Sequence, residues 1–228
     1  MKKFNQNIID PVKLIFDKTV YGFSWEEIIK NEIFRQRDKS NNNDIGYFHQ
    51  RIFQYIVDCE VPKSGWDVVF AKEHGIDISE GNTVSRVFVE MKNKHNTMNS
   101  AAAGKTYIKM QSQLLADDDC ACFLVEAIAK QSQNAVWAVT VDGLQRKHKR
   151  IRRVSIDRFY ALVTGQEDAF YQMCMILPGV IERAVAIATA SVIPKDNVID
   201  ALNEMAISRG GSLALALYML GFATYFGF

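Results

Sequence analysis

Trp66-Asp67-Val68-Val69-Phe70 and Arg86-Val87-Phe88-Val89-Glu90-Met91-Lys92-Asn93-Lys94-His95 decide how this chain is read. Both stretches are rich in Val and Phe with polar residues interleaved, the pattern of strands. Between them Ala71 to Ser85 is polar, with Gly75 and Gly81 as turn formers. Two strands joined this way can lie side by side in one sheet. Side chains alternate across a strand, so Glu90 and Lys92 share a face, and Asp67 on the neighbouring strand points to the same spot. Two carboxylates and an amine at one place suit a divalent cation and an activated water. Glu90 interrupts an apolar run, where a carboxylate is costly without a partner. An Asp followed by Glu-x-Lys is nonetheless a short pattern, and the plain alternative is a half-buried strand edge with solvated charges.

The chemistry explains the residue types. Phosphodiester hydrolysis calls for a hard cation to neutralise phosphoryl oxygens. Mg²⁺ keeps several of its waters, so Asp67 and Glu90 suffice as ligands, with Lys92 placing the attacking water. The following segment, Asn93 to Ser100, is dense in hydrogen-bonding groups and suits contact with bases or phosphates.

Gly65-Trp66-Asp67, followed by Val89-Glu90-Met91-Lys92-Asn93-Lys94-His95-Asn96-Thr97-Met98-Asn99, resembles the PD-(D/E)XK nucleases, and more narrowly the type II restriction endonucleases that cut GGNCC sites. Phe34 to Asn43 and Ile45 to Gln50 share the likeness, which spans roughly residues 8 to 160. Trp66 stands where the generic motif has Pro. The resemblance implies Mg²⁺-dependent cleavage of double-stranded DNA at a short palindrome, GGNCC, leaving 5′-phosphates. It implies Asp67, Glu90 and Lys92 as catalytic residues, with Asp67 and Glu90 as metal ligands. Asn93, Lys94, His95, Asn96, Thr97 and Asn99 become candidate DNA contacts. So do Arg35, Arg37, Asn41, Asn42 and Asn43, although an Asn run is more often a surface loop. Upstream helical Glu residues are common near such metal sites, making Glu32 an accessory candidate; its alternative is an ion pair at the core edge. A palindrome cut on both strands implies a homodimer, since two-fold DNA symmetry matches two-fold protein symmetry. A host would also need a methyltransferase acting on the same site, without obligatory binding to this chain. Two readings compete: a non-specific or repair-type nuclease on the same fold, and a catalytically inactive DNA-binding module.

The 228 residues are 48% hydrophobic and carry a formal net charge of +1, which points to a globular chain whose DNA-binding surface comes from local clustering. Arg146 to Arg153 is such a cluster, six of its eight residues being Lys or Arg. Lys147, Lys149 and Arg150 are candidate phosphate contacts; the alternative is a solvated loop before a strand at Val154 to Ile156. Cys59, Cys120, Cys122 and Cys174 lack metal-ligand spacing and read as reduced core thiols. With no secretory leader pattern, this suggests a cytoplasmic protein.

Asp10-Pro11 starts a helix, and Ser24-Trp25-Glu26-Glu27 is a capping box starting a second. Arg35 to Asn43 reads as a helix end running into a loop, and Ile45 to Val57 as a third helix. Ala101 to Ala116 is an amphipathic helix with Tyr107, Met110, Leu114 and Leu115 on one side and Lys105 and Lys109 on another. Cys120 to Ile128 and Ala135 to Val141 read as buried strands, so a βαβ crossover is expected. Helices follow: Arg158 to Thr164, Ala169 to Leu177 before Pro178-Gly179, Val180 to Ser191, and Asn197 to Ser208. Ser212 to Phe228 is almost wholly apolar and reads as a buried helix or subunit interface rather than a membrane anchor. The expected fold is α/β: a PD-(D/E)XK nuclease-like central mixed sheet flanked by helices, with a helical C-terminal third. Residues 1–165 form the nuclease core with its N-terminal helices, and 166–228 a helical part packed on the core or in a dimer interface, as one continuous domain.

Overall fold

The computed structural model describes residues 9–188, 197–208 and 211–221, with backbone alone for 37, 39–45, 185, 187, 188, 218, 219 and 221. The chain divides into two compact units, residues 42–187 and residues 1–41 with 188–228.

The larger unit is built on a mixed six-stranded sheet in the order β1-β2-β3-β4-β6-β5. The strands are β1 (Cys59–Glu60), β2 (Val68–Ser79), β3 (Asn82–Lys94), β4 (Cys120–Ile128), β5 (Asn134–Val141) and β6 (Leu144–Ser155). β2 and β3 pair antiparallel, β3, β4 and β6 run parallel, and β5 returns antiparallel to β6. The polar segment between the expected strands is itself strand: Ser79 pairs with Asn82 across a turn whose Gly81 has φ +72°. Polar residues there keep the alternation that a sheet with one wet face allows.

β4 is the central strand, and its sequence requires that position. Ala121, Phe123 and Val125 enter one apolar cluster, and Cys122 and Leu124 enter another. A strand apolar on both sides needs a layer on each face. The helix linking β3 to β4, α3 (Ser100–Ala116), supplies one layer through Tyr107 and Met110. The other layer comes from Phe53, in a short 3-10 turn (Ile52–Tyr55), and from α4 (Ile156–Thr164) through Phe159, Tyr160 and Val163. Phe53 lies 4.9 Å from the Phe159 ring and 5.0 Å from Tyr160, the spacing of favourable aromatic pairs. Leu115, expected on the apolar side of α3, is exposed.

Three further expectations change. Arg35 to Asn43 does not open into a loop. One helix, α2, runs from Trp25 to Arg51, so the third helix expected at Ile45 is its continuation into the 3-10 turn. Asn costs a helix only about 0.5 kcal/mol per residue, and nothing in that stretch breaks the hydrogen-bond ladder. Ala135 to Val141 is an edge strand rather than a buried one, with alternate residues exposed. Arg146 to Arg153 is neither a loop nor wholly solvated: it lies inside β6, whose second half is covered by β4 and β5.

After Gly165, in the left-handed conformation that ends α4, the helix α5 (Ala169–Ala188) passes through Pro178 instead of stopping there. Pro178 is exposed, so water can satisfy the carbonyl left without a donor. Cys120 and Cys122 are buried thiols as expected, whereas Cys174 on α5 is exposed.

The smaller unit is helical. α1 (Pro11–Tyr21) starts at Asp10, whose carboxylate accepts from the Lys13 N–H at 3.0 Å. α2 starts with the expected capping box, Ser24 and Glu27 satisfying each other's N–H groups. With α6 (Val198–Ser208) and α7 (Leu213–Gly221), these helices enclose Leu14, Ile28, Ile29, Leu202, Ala216 and Leu217. The apolar run from Ser212 therefore contributes core residues as far as it is described, and residues 222–228 lie outside the described chain. Among the described residues no helix is long and apolar enough to cross a membrane.

Gly75 sits in β2 at φ +82°, where the register with β3 shifts, and a Cβ there would lie 2.5 Å from Thr83 Cγ2. Gly75→Ala is expected to destabilise the protein by about 1–3 kcal/mol, from left-handed strain plus the clash. Adding Thr83→Ser removes that methyl group and should recover only the steric part. Urea titration of the two variants checks this; full recovery in the double variant would show that backbone strain contributes nothing.

Candidate active site

The candidate site lies on the sheet face covered by α3, at the carboxyl ends of the parallel strands. Asp67 precedes β2, and the antiparallel register holds it in place. Its N–H donates to Val89 O at 3.0 Å, and its Oδ2 accepts from the Met91 N–H at 2.7 Å. These two bonds span Glu90, so Asp67 and Glu90 face the same way. Lys92 Nζ donates to Glu90 Oε1 at 2.8 Å. The structure thus brings together Asp67, Glu90 and Lys92, while Val89 and Met91 turn to the opposite core.

One member was not foreseen. Lys109, on α3, donates to Glu90 Oε2 at 2.7 Å and to the Gly65 carbonyl, with its ammonium 4.0 Å from the Trp66 ring centroid. Trp66, in the place of the motif's Pro, thus forms an aromatic seat for a second lysine. Its indole N–H donates to Gln113 Oε1 at 3.2 Å, and its ring packs on Phe88 at 5.5 Å. The available signal was a lysine next to the Tyr107–Met110 stripe of a helix leaving the motif strand.

The two carboxylates differ. Burial disfavours ionised Glu90, but hydrogen bonds and charge from Lys109 and Lys92 outweigh it and hold its pKa below the ordinary value. Burial raises the Asp67 pKa; the Met91 N–H opposes this, and the neighbouring Glu90 charge adds to it. A pair of partly desolvated oxygen donors, one of them short of positive charge, fits a hard divalent cation better than a soft one. Among the described residues no group of three or more His, Cys, Asp or Glu side chains could hold a metal, so the fit rests on two carboxylates with water completing the shell.

The polar segment after β3 is closely tied. His95 N–H donates to Ile128 O at 2.8 Å, and its Nδ1 lies 3.2 Å from Glu126 Oε2 and 2.8 Å from an Arg153 nitrogen. Thr97 Oγ1 donates to Lys94 O at 3.0 Å, Asn99 caps α3 by accepting from the Ala102 N–H at 2.9 Å, and Met98 packs under α3. Asn96 adopts φ +58°, which Asn tolerates better than most residues. Lys94, Asn96 and Thr97 are exposed, and the Asn93 Oδ1 is buried without a protein partner.

The remaining candidates belong to other elements of the chain. Glu32 is buried in the smaller unit, its oxygens taken by Arg35 at 2.6 Å and Gln36 at 2.8 Å, all on α2. The side chains of Arg37, Asn41, Asn42 and Asn43 lie outside the described residues. In the basic strand Lys147 and Lys149 are exposed, and Arg150 donates to the Asp118 carbonyl. Arg152 and Arg153 face the protein: Arg152 donates to Asn134 O at 2.7 Å, and Arg153 donates to Glu126.

The model of the Eco47II restriction endonuclease family matches residues 1–186. The chain is 32% identical over 184 residues to the type II restriction enzyme Sau96I of Staphylococcus aureus, covering 77% of this chain and 67% of that one. It is 30% identical over 194 residues to the type II restriction enzyme Eco47II of Escherichia coli, covering 79% and 75% respectively. No solved structure matches the chain significantly. The chain belongs to the Eco47II restriction endonuclease family of type II restriction enzymes.

Proposed function

We propose that this enzyme hydrolyses double-stranded DNA as a Mg²⁺-dependent PD-(D/E)XK endonuclease at a short palindrome, GGNCC, leaving 5′-phosphates. The observation that carries the reading is the convergence of Asp67, Glu90, Lys92 and Lys109 on one sheet face. Asp67 and Glu90 hold the cation. When bound, Mg²⁺ supplies neutralisation of the developing phosphoryl charge. Lys92 positions the attacking water, its ammonium held by Glu90. Lys109 neutralises Glu90 in the metal-free site and gives up its oxygen when the cation binds.

Exposed Lys94, Asn96 and Thr97 contact bases or adjacent phosphates, and Lys147 and Lys149 add contacts to the DNA backbone. A homodimer presents two such sites to the two strands, in a cytoplasm where a methyltransferase protects the host's own sites. The deciding experiment is a digest of unmethylated DNA with and without Mg²⁺, with Lys92→Ala in parallel. Discrete fragments that need both Mg²⁺ and Lys92 support the reading. A smear with the same requirements favours a non-specific nuclease. DNA binding in calcium without cutting in magnesium favours an inactive binding module.

Asp67→Asn tests the cost of the buried acid. A carboxyl whose folded-state pKa is raised binds its proton more tightly when folded, so its ionised form costs stability. That cost is fully present above the folded-state pKa and gone below the unfolded value. Asp67→Asn is therefore expected to abolish cleavage yet raise the melting temperature at pH 7, with the gain fading toward pH 3. A variant that melts below the wild type at pH 7 refutes this.

Lys109 occupies the Glu90 oxygen that a cation would need. Lys109→Met is expected to lower the Mg²⁺ concentration for half-maximal cleavage by about tenfold, the worth of one charge-assisted hydrogen bond. A Mg²⁺ titration of cleavage rate reads this directly, and an unchanged midpoint means that Lys109 does not compete with the metal.

A further inference from the structure

Glu126 is the most deeply buried acid among the described residues outside the proposed metal pair. It is 1% exposed at the end of a strand that is otherwise apolar, and neither the family motif nor the proposed chemistry uses it. Its place in the sheet is specific. The parallel register sets it opposite Lys92, on the face that carries Glu90, and sets Arg153 opposite its neighbour on that face, Leu124. One Arg153 nitrogen donates to Glu126 Oε1 and lies 2.8 Å from His95 Nδ1, which is itself 3.2 Å from Glu126 Oε2. Arginine only donates, so Nδ1 accepts from Arg153, and Glu126 holds His95 through the guanidinium that it pairs with. A buried carboxylate without that partner would be strongly destabilising, which keeps the pair in place. His95 is the first residue beyond β3, and its N–H is also fixed, by Ile128 O at 2.8 Å, at the end of the strand that carries Glu126. The far end of the segment is fixed by Asn99 as the cap of α3. Between these anchors, Asn96 and Thr97 project outward.

We propose that Glu126, with Arg153, is a positioning residue for sequence recognition: through His95 it sets the geometry in which Asn96 and Thr97 meet the DNA. This rests on the reading of the chain as a site-specific endonuclease. Glu126 touches neither DNA nor the reacting atoms. Side chains that read base edges discriminate only when their geometry is fixed, because a tethered amide can choose between a matched and a mismatched pattern and a loose one re-pairs with either. Loss of the tether therefore lowers discrimination through binding and leaves the chemical step at saturating DNA almost intact.

The test uses Glu126→Gln, which keeps the side-chain shape and removes the charge that pairs with Arg153. Cleavage kinetics are measured on a duplex carrying the site mapped with the wild-type enzyme, and on duplexes with one base pair changed. The expected result is a fall of about tenfold or more in the ratio of kcat/KM between cognate and altered duplexes, carried by KM, with kcat within about threefold of wild type. An unchanged ratio in a folded variant overturns the proposal. So does a large loss of kcat at unchanged KM, which would put Glu126 in the chemistry. A wild-type enzyme that cuts without site preference overturns the functional reading and this proposal together; a site-specific wild type with an unaffected variant overturns this proposal alone. Should Glu126→Gln fail to fold, His95→Ala leaves the Glu126–Arg153 pair in place. It is expected to speed exchange of the amide at position 95, which Ile128 O holds, by about tenfold or more in the DNA-free protein, with β4 unchanged, and to reduce the same ratio. Unchanged exchange at position 95 overturns the tether.

Discussion

The parallel register of β3, β4 and β6 is the constraint on which the other features depend. It aligns Lys92 with Glu126 and Leu124 with Arg153, so that charged residues from three strands emerge at one end of the sheet and on one face. Parallel strands need covered faces and crossover connections, and the β3–β4 crossover is α3 itself. The helix that closes the sheet over Cys122 and Leu124 therefore also brings Lys109 to Glu90. A nearly dry core and a charged site are built by the same elements, a few residues apart along each strand. The carboxyl ends of such strands are where ligands bind in open α/β sheets generally.

The energetics of the charged end follow from its burial. Glu90 and Glu126 are each set in apolar strands, and each lies against two nitrogen-bearing side chains, Lys92 and Lys109 for the first and Arg153 and His95 for the second. Burying either acid without them would be strongly destabilising. The two groups differ in access. Glu90 is 19% exposed and held by flexible lysines, an arrangement from which a cation can take over. Glu126 is held by one Arg153 nitrogen beside the His95 ring in a closed place, an arrangement suited to fixing geometry. Lysine offers a mobile point charge and arginine a rigid planar donor, and the two sites divide along that line.

The antiparallel pairing of β2 with β3 supplies the remaining precision. A one-residue slip would turn Asp67 to the opposite face. The register is held by the two-residue turn at Gly81, the bulge at Gly75 and the pair of bonds from Asp67 to either side of Glu90. A raised pKa at Asp67 is the cost of that placement, a local loss of stability of the kind that functional sites carry.

Short-range patterns were enough for the strands around Asp67 and Glu90, the capping box at Ser24 and the helix starts, the crossover from β3 to β4 and the family. These are written in local periodicity and in a motif whose spacing reflects the two-residue repeat of a strand. The sequence also flagged Glu90 as a carboxylate breaking an apolar run. Glu126 breaks an equally apolar run, Phe123-Leu124-Val125-Glu126, and so was legible by the same sign. What it met there was not, because Arg153 comes from a basic stretch whose local pattern does not say which residues lie inside a sheet. Long-range packing is what turns Arg152 and Arg153 inward while Lys147 and Lys149 stay in water. It also decided that Lys109 reaches Glu90, and that the Asn-rich stretch continues a helix. Each of these depends on which elements become neighbours across long stretches of chain. That choice is made by burying apolar faces such as both sides of β4, a collective property that no short window of residues contains.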